Sequence, residues 1–297
     1  MSTDHCLPAG LVPGQVVARI GLLSDTHMPE RLAALPDVLS DVLRGADLIL
    51  HAGDVGEGCV LDDLSRIAPV IAVHGNDEPE CMKRTLPLQQ LVAVAGRRIL
   101  LTHSHNTDPH EEMALRRVDG WSDKLAYRAG LGQAAGASVV VFGHTHIPLV
   151  CVSGGVLLVN PGALAAPNAW TRQRLQTIAL LYILERGEPI AVHVDLASPE
   201  RAFVPGIDWD AGYKVAWQAA CDSILDPELA VVWDAWLKLA YATAFEPCKH
   251  ALLRVARRCW SGEQVTVTRA DLLAELQHEA SLVGAARTDL LEVLTRR

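Results

Sequence analysis

No apolar run in the 297-residue sequence approaches the roughly 18 to 20 residues that a membrane span needs. The stretch Met1–Gly14 lacks the basic flank and apolar centre of a secretory leader, so a cytoplasmic location is expected. Cysteine is sparse and scattered: seven residues, an odd number with no C-x-x-C pair, which argues against a disulfide framework or a sulfur-rich zinc site. Basic residues are in deficit, 26 Lys and Arg against 35 Asp and Glu, and the net charge of −9 argues against a broad surface for nucleic acid. Neither an internal repeat nor a low-complexity segment is present.

What is present is a foldable composition, half hydrophobic and 21% charged. Short apolar runs at Val17–Leu23, Asp47–His51 and Val70–His74 read as strands, with helices at Pro36–Arg44 and Cys59–Ile67 between them. Leu91–Val94 and Arg98–Thr102 flank Ala95-Gly96-Arg97 as a hairpin. A helical region from about His110 to Ala135 precedes a strand at Ser138–Phe142. Later strands at Val150–Val152, Val156–Val159, Ile178–Leu184 and Ile190–Val194 leave no room for helices and are expected to pair antiparallel. The class is α/β, with one domain over 16–200 and an all-α extension of four or five helices over 207–297.

The chemistry sits at the strand ends. The apolar runs close on Asp25-Thr26-His27, on Gly53-Asp54, on Gly75-Asn76-Asp77, on His103-Ser104-His105 and on Gly143-His144-Thr145-His146. In open α/β sheets ligands bind beyond the carboxyl ends of the strands, so five such endings converge although they are far apart in sequence. Mixed Asp, Asn and His donors suit Mn, Fe, Co, Ni or Zn better than Ca or Mg. The glycines before Asp54, Asn76 and His144 are expected to let the chain turn sharply. Eight of the twelve histidines lie between His27 and His146.

This series, D-x-H, G-D, G-N, H and G-H-x-H, resembles the calcineurin-like metallophosphoesterase superfamily, and with Asn160-Pro161-Gly162 most resembles its small bacterial phosphodiesterase branch. The resemblance spans about Val16 to Leu196. It implies a four-layer α/β/β/α sandwich and two divalent metal ions, Mn foremost with Fe, Zn, Ni or Co as alternatives. By the same resemblance Asp25, His27 and His146 hold the first ion, Asn76, His103 and His144 the second, and Asp54 bridges them. The implied activity is hydrolysis of a small phosphodiester by a metal-bridging hydroxide.

Many relatives carry a histidine where this sequence has Asp77, which removes the usual leaving-group acid and favours a diester over a monoester. Asp77 and Asn76 remain catalytic candidates, and His105 is the expected substitute for proton transfer or phosphate contact. His51 and His74 read as structural. The insert Asn106–Arg128 offers Arg116, Arg117, Lys124 and Arg128 either as a solvated helix face or as a phosphate clamp. Gly130–Gly136 has the wrong spacing for a dinucleotide loop. His5, His110, His193, His250 and His278 read as surface or structural residues. Five of the seven tryptophans fall in the extension, and Trp233, Trp236 and Leu237 share a helix face, either core or a surface for a protein partner or oligomer. Two rival readings stand beside the diesterase: a phosphomonoesterase acting on a protein, nucleotide or sugar phosphate, and a metal-binding scaffold without catalysis.

Overall fold

The computed structural model describes residues 13–295, so His5 and Cys6 lie outside it. In chain order the first half comprises β1 (Val16–Leu23), α1 (Leu39–Val42), β2 (Leu48–His51), α2 (Cys59–Ser65), β3 (Val70–Ala72), α3 (Glu80–Thr85), β4 (Gln89–Val94) and β5 (Arg97–Thr102). Then follow α4 (Pro109–Arg117), α5 (Trp121–Ala135), β6 (Val139–Phe142), β7 (Leu149–Ser153), β8 (Val156–Asn160), β9 (Thr171–Gln173), β10 (Thr177–Leu184) and β11 (Ile190–Asp195). The remainder is α6 (Tyr213–Ala220), β12 (Cys221–Ser223), α7 (Pro227–Thr243), α8 (Phe245–Trp260), α9 (Arg269–His278) and α10 (Gly284–Thr295).

Two five-stranded mixed sheets form, ordered β11-β10-β1-β2-β3 and β4-β5-β6-β8-β7. Strands β1, β2 and β3 run parallel, as do β5, β6 and β8. The hairpin β4–β5 closes on Ala95 and Gly96, both at positive φ (47° and 79°), the turn that matches strand twist. Of the late strands expected to pair antiparallel, β7 joins β8 and β10 joins β11 that way, but β8 also runs parallel to β6.

Apolar residues on both faces of the central strands build the layers. Ile20, Leu22 and Leu50 meet Ile99, Leu101, Val139 and Val141 between the sheets. Leu23, Ile49 and Tyr182 face the other way, onto Leu39, Val42, Val60 and Leu64. On the far side α5 lies so close to the second sheet that a Cβ on Gly132 would stand 2.6 Å from Val140 Cγ2. The glycines of Gly130–Gly136 therefore include a packing contact and form no nucleotide loop. The result is the α/β/β/α sandwich.

The single helical region expected across His110–Ala135 is two helices. Asp108 caps α4 by accepting from His110 N at 2.8 Å, with Pro109 in the first turn, and the chain breaks before Gly120, the N-cap of α5. Helix α1 is shorter than the expected Pro36–Arg44, and α3 was not foreseen. In the clamp reading, Lys124 and Arg128 drop out. Lys124 donates to Leu115 O and lies over the Tyr213 ring, while buried Arg128 donates to Lys124 O and lies 4.6 Å from the Phe142 ring centroid.

The chain divides into two compact units, the first reaching Ala165 and resuming over Gln173–Ala220, the second comprising Ala166–Arg172 and Cys221 onward. The division thus falls later than the composition break near 200, because α6 joins the first unit. In the second, Asp226 caps α7 through Leu229 N, and Thr268 with Asp271 forms a capping box on α9. Trp233 and Trp236 stack 5.2 Å apart in this unit's own core, with Ala169, Leu252, Val255, Leu272 and Leu290. The tryptophan face is core, not a partner surface.

Beneath the sheet ends, His193 of β11 is buried and its Nε2 donates to Asn160 O at 2.7 Å. Burial, only partly offset by that hydrogen bond, pulls its pKa down to about 4. An unfolded imidazole protonates near 6.5, so the stability His193 contributes is whole above that pH and is lost as pH falls toward 4. Between pH 8 and pH 5 this one imidazole should cost about 2 kcal/mol. Denaturant unfolding at the two pH values should show a loss smaller by that amount in His193→Gln; equal acid sensitivity in both proteins would refute the assignment.

Candidate metal centre

The strand ends meet as the sheet topology requires. Asp25 N donates to Gly53 O at 3.0 Å, His27 N to Asp54 O at 2.9 Å and Ala165 N to Asp25 O at 3.0 Å, so the loops after β1, β2 and β8 are tied together. Thr26 Oγ1 donates to Val55 O at 2.7 Å and lies 3.1 Å from His51 Nε2, which gives His51 the structural part expected of it. Asn160 Nδ2 donates to Gly143 O at 2.9 Å and its Oδ1 accepts from Gly162 N at 2.8 Å, so the Asn-Pro-Gly turn braces the loop that carries His144 and His146.

Five candidate ligands, Asp25, His27, Asp54, His144 and His146, hold positive φ between 43° and 72°. Such a conformation costs a non-glycine residue on the order of 1–3 kcal/mol and persists only where the surroundings impose it. The expected role of the glycines changes accordingly. Only Gly53 among the three sits at positive φ. Gly75 and Gly143 are needed for room: a Cβ on Gly75 would lie 2.6 Å from Asp54 Cγ, and one on Gly143 would lie 2.8 Å from Asp25 Oδ2.

Two groups of donor atoms form around Asp25, one with His27 and His146 and one with Asp54 and His103, each within a 4.8 Å span. Asp25 Oδ1 stands 3.2 Å from His146 Nε2 and 4.0 Å from His103 Nε2. Asp54 Oδ2 stands 3.5 Å from His27 Nε2 and 3.2 Å from His103 Nε2, while its Oδ1 accepts from Asp77 N at 2.9 Å. Burial opposes ionisation of both carboxyls, yet the imidazoles of His146 and His103 beside Asp25, and of His103 and His27 beside Asp54, hold them well below the usual range. Against its own burial, His103 is raised by Asp54 and Asp25 to about 9.

These residues fit divalent metal. Two fully buried carboxylates require cationic partners. His103 Nε2, 0% exposed at its side chain, makes no hydrogen bond among the described residues although Asp54 is near. A nitrogen and oxygen donor set of this kind is borderline in softness, suited to first-row cations, and a cation there competes with the His103 proton.

Residues 19–186 match the family model of the calcineurin-like phosphoesterase superfamily domain. The chain belongs to that superfamily. It is 35% identical over 149 residues to a probable metallophosphoesterase of Methanothermobacter thermautotrophicus, covering 50% of this chain and 78% of that one. It is 31% identical over 138 residues to the phosphodiesterase YfcE of Escherichia coli, covering 44% of this chain and 64% of that one. Among solved structures, Vps29 of Chaetomium thermophilum aligns with 60% of this chain and 96% of its own at TM-score 0.45 and 18% identity.

Within this phosphoesterase one expected histidine ligand, His144, stands outside the clusters of Asp and His donors. Asn76 is exposed at the strand end. His144 turns its Nε2 to Glu112 of α4, 2.7 Å from Oε1. Glu112 is fixed in turn, accepting from Arg116 Nε at 2.6 Å and from Asn106 N at 2.8 Å. With Nε2–H donated to this carboxylate, the lone pair of His144 lies on Nδ1. Sequence reasoning passed over Glu112; its only signal is the Glu-to-Arg spacing of four in the insert.

Arg31 and Glu78 were also missed. Arg31 is 9% exposed, pairs with the Asp77 carboxylate and places Nη1 3.3 Å from His27 Nε2. Asp77 brings to the site that ion pair, its backbone N–H to Asp54 and a carboxylate oxygen 4.0 Å from His27 Nδ1. Glu78 accepts from Val55 N and Gly56 N at 2.6 and 2.9 Å, fixing the turn after Asp54. His105 lies among imidazoles, its ring centroid 5.6 Å from that of His103 and 6.2 Å from those of His144 and His74. Burial, with His103 and His144 beside it, pulls His105 down to about 4, so it is neutral at pH 7 and a weaker base than a free imidazole.

Proposed function

We propose that this phosphoesterase hydrolyses phosphodiesters at a binuclear centre, with manganese as the working cation. The observation that carries the reading is the pair of buried carboxylates, Asp25 and Asp54, each between two imidazoles and sharing His103. Asp25, His27 and His146 would hold one ion, Asn76, His103 and His144 the other, with Asp54 shared. Two divalent cations in such a site supply a water nucleophile at neutral pH and polarise the phosphoryl oxygens.

The chain's own groups set the rest. Glu112 orients His144, Asp77 N–H fixes the Asp54 carboxylate, and Arg31 places a buried positive charge beside His27. Neutral His105 can donate a hydrogen bond to a phosphoryl oxygen. With Asp77 engaged by Arg31, its carboxylate is not free to serve as the leaving-group acid, which favours diesters with good leaving groups over alkyl monoesters. The likeness to a phosphodiesterase of Escherichia coli supports the same preference. All six described cysteines are free, which fits a reducing compartment and supports a cytosolic enzyme.

Purified protein, stripped by chelator and resupplied with Mn, should hydrolyse bis(p-nitrophenyl) phosphate. Its kcat/KM should exceed that for p-nitrophenyl phosphate by about tenfold or more, about 1.4 kcal/mol in transition-state binding. Turnover that survives the chelator, or a preference for the monoester, would overturn the proposal.

A further inference from the structure

Beside the metal centre lies a cavity of 390 Å³ lined by Arg116, Arg117, Asp119, Tyr213, Lys214 and Trp217. All six belong to the first unit, so the cavity is complete within it. In a chain with net charge −9, three cations line this cavity beside a single carboxylate, and with Arg116 paired to Glu112 the charges of Arg117 and Lys214 are the ones turned to a ligand. That carboxylate is already engaged: Asp119 Oδ1 accepts from Lys214 N at 2.7 Å and Asp119 O accepts from Tyr213 N at 2.7 Å. These bonds fasten the start of α6 to the junction of α4 and α5. Gly212, at φ +90°, permits the approach, because a Cβ there would stand 2.8 Å from Asp119 Oδ2.

The walls are held from behind. The Tyr213 ring packs 5.4 Å from Trp121, which in turn meets Trp209 at 5.2 Å, and Lys124 Nζ lies 4.5 Å from the Tyr213 centroid. Arg116 belongs to both places: it lines the cavity and brings Nη2 to 3.2 Å from His144 Nε2. A substrate bound at the strand ends therefore has one arm within reach of this cavity. Guanidinium and ammonium groups recognise phosphate or carboxylate, and the half-buried indole of Trp217 offers a face for a planar ring.

We propose that the cavity binds one arm of the substrate, and that this arm is a nucleotide: its non-scissile phosphate pairs with Arg117 and Lys214, and its base stacks on Trp217. The proposal rests on the phosphodiesterase reading and narrows it to nucleotide diesters. It also gives the insert arginines a partner element, α6, that lies about a hundred residues away in sequence.

Calorimetry with thymidine 3′,5′-bisphosphate as probe tests it on the full chain. The wild type should bind one equivalent, and Arg117→Gln, Lys214→Gln and Trp217→Ala should each weaken binding about tenfold, a change of about 1.4 kcal/mol. Thermal melts of the three variants check that each is folded. In turnover, the p-nitrophenyl ester of thymidine 3′-phosphate carrying a 5′-phosphate should have the lower KM against its 5′-hydroxyl counterpart, and that advantage should vanish in Lys214→Gln. Undiminished binding in folded variants, or equal KM values for the two esters, would overturn the proposal. Hydrolysis of bis(p-nitrophenyl) phosphate without binding of the bisphosphate would remove the cavity and leave the phosphodiesterase. Binding that responds to the variants without any diester turnover would keep the cavity and remove the phosphodiesterase.

Discussion

Asp54→Asn is expected to lose diester turnover by about 10³-fold, the scale on which a single pre-placed charge-stabilising group is felt. The Asp54 carboxylate lies 3.5 Å from His27 and 3.2 Å from His103, one imidazole from each donor group. An amide there keeps the shape but loses the negative charge that would balance the cations of the proposed centre. The same substitution has a signature that does not depend on turnover. A cation that binds only the folded chain, present at a hundredfold over its Kd, adds about 2.7 kcal/mol to stability. For a unit of this size that is a rise of roughly 5 to 10 °C in Tm. Melting with and without Mn should show the rise in the wild type and little of it in Asp54→Asn. A variant that keeps the full rise and most of the turnover would show that Asp54 does not hold metal.

Gly75→Ala should be nearly as damaging although it adds one methyl group. The new Cβ would be driven into the Asp54 carboxyl group, 2.6 Å from Cγ and 2.7 Å from the Asp54 backbone nitrogen. A side-chain rotation relieves only the first contact; the second requires the β2 and β3 ends to move apart. Overpacking of this kind costs about 1–3 kcal/mol or more, and any relief displaces Asp54 from His27 and His103. Gly130 in α5 is the control, because a Cβ there meets nothing within 4 Å. Gly130→Ala should stabilise by up to about 1 kcal/mol through helix propensity and keep its activity. Equal stability and turnover in both alanine variants would disprove the crowding at Gly75.

The strand ends that carry Asp25, Asp54, His103 and His146 were legible because each follows an apolar run, and because parallel strands place their carboxyl ends together. The hairpin was legible from Ala95-Gly96, whose backbone requirement is local. Glu112 was not legible. Its helix is an exposed charged segment, and nothing in its periodicity says that one carboxylate points at a histidine 32 residues later. Lys124 and Arg128 misled for the converse reason: charged residues on a helix read as solvated, yet here they pack against Tyr213 and Phe142.

The sequence by itself determined the alternation of strands and helices, the donor residues at the sheet ends and the helical character of the C-terminal region. These depend on local preference, hydrophobic period and short motifs, each written within a few neighbouring residues. Only the tertiary structure decided that Gly75 and Gly143 serve as space beside carboxylates, that His144 is held by Glu112, and that Asp77 belongs to Arg31. It also decided that Trp233 and Trp236 are core, and that Arg117 and Trp217 share one cavity. Each of these depends on the close approach of segments far apart in the chain, and such approaches are set by packing of the whole layer, which no local pattern records.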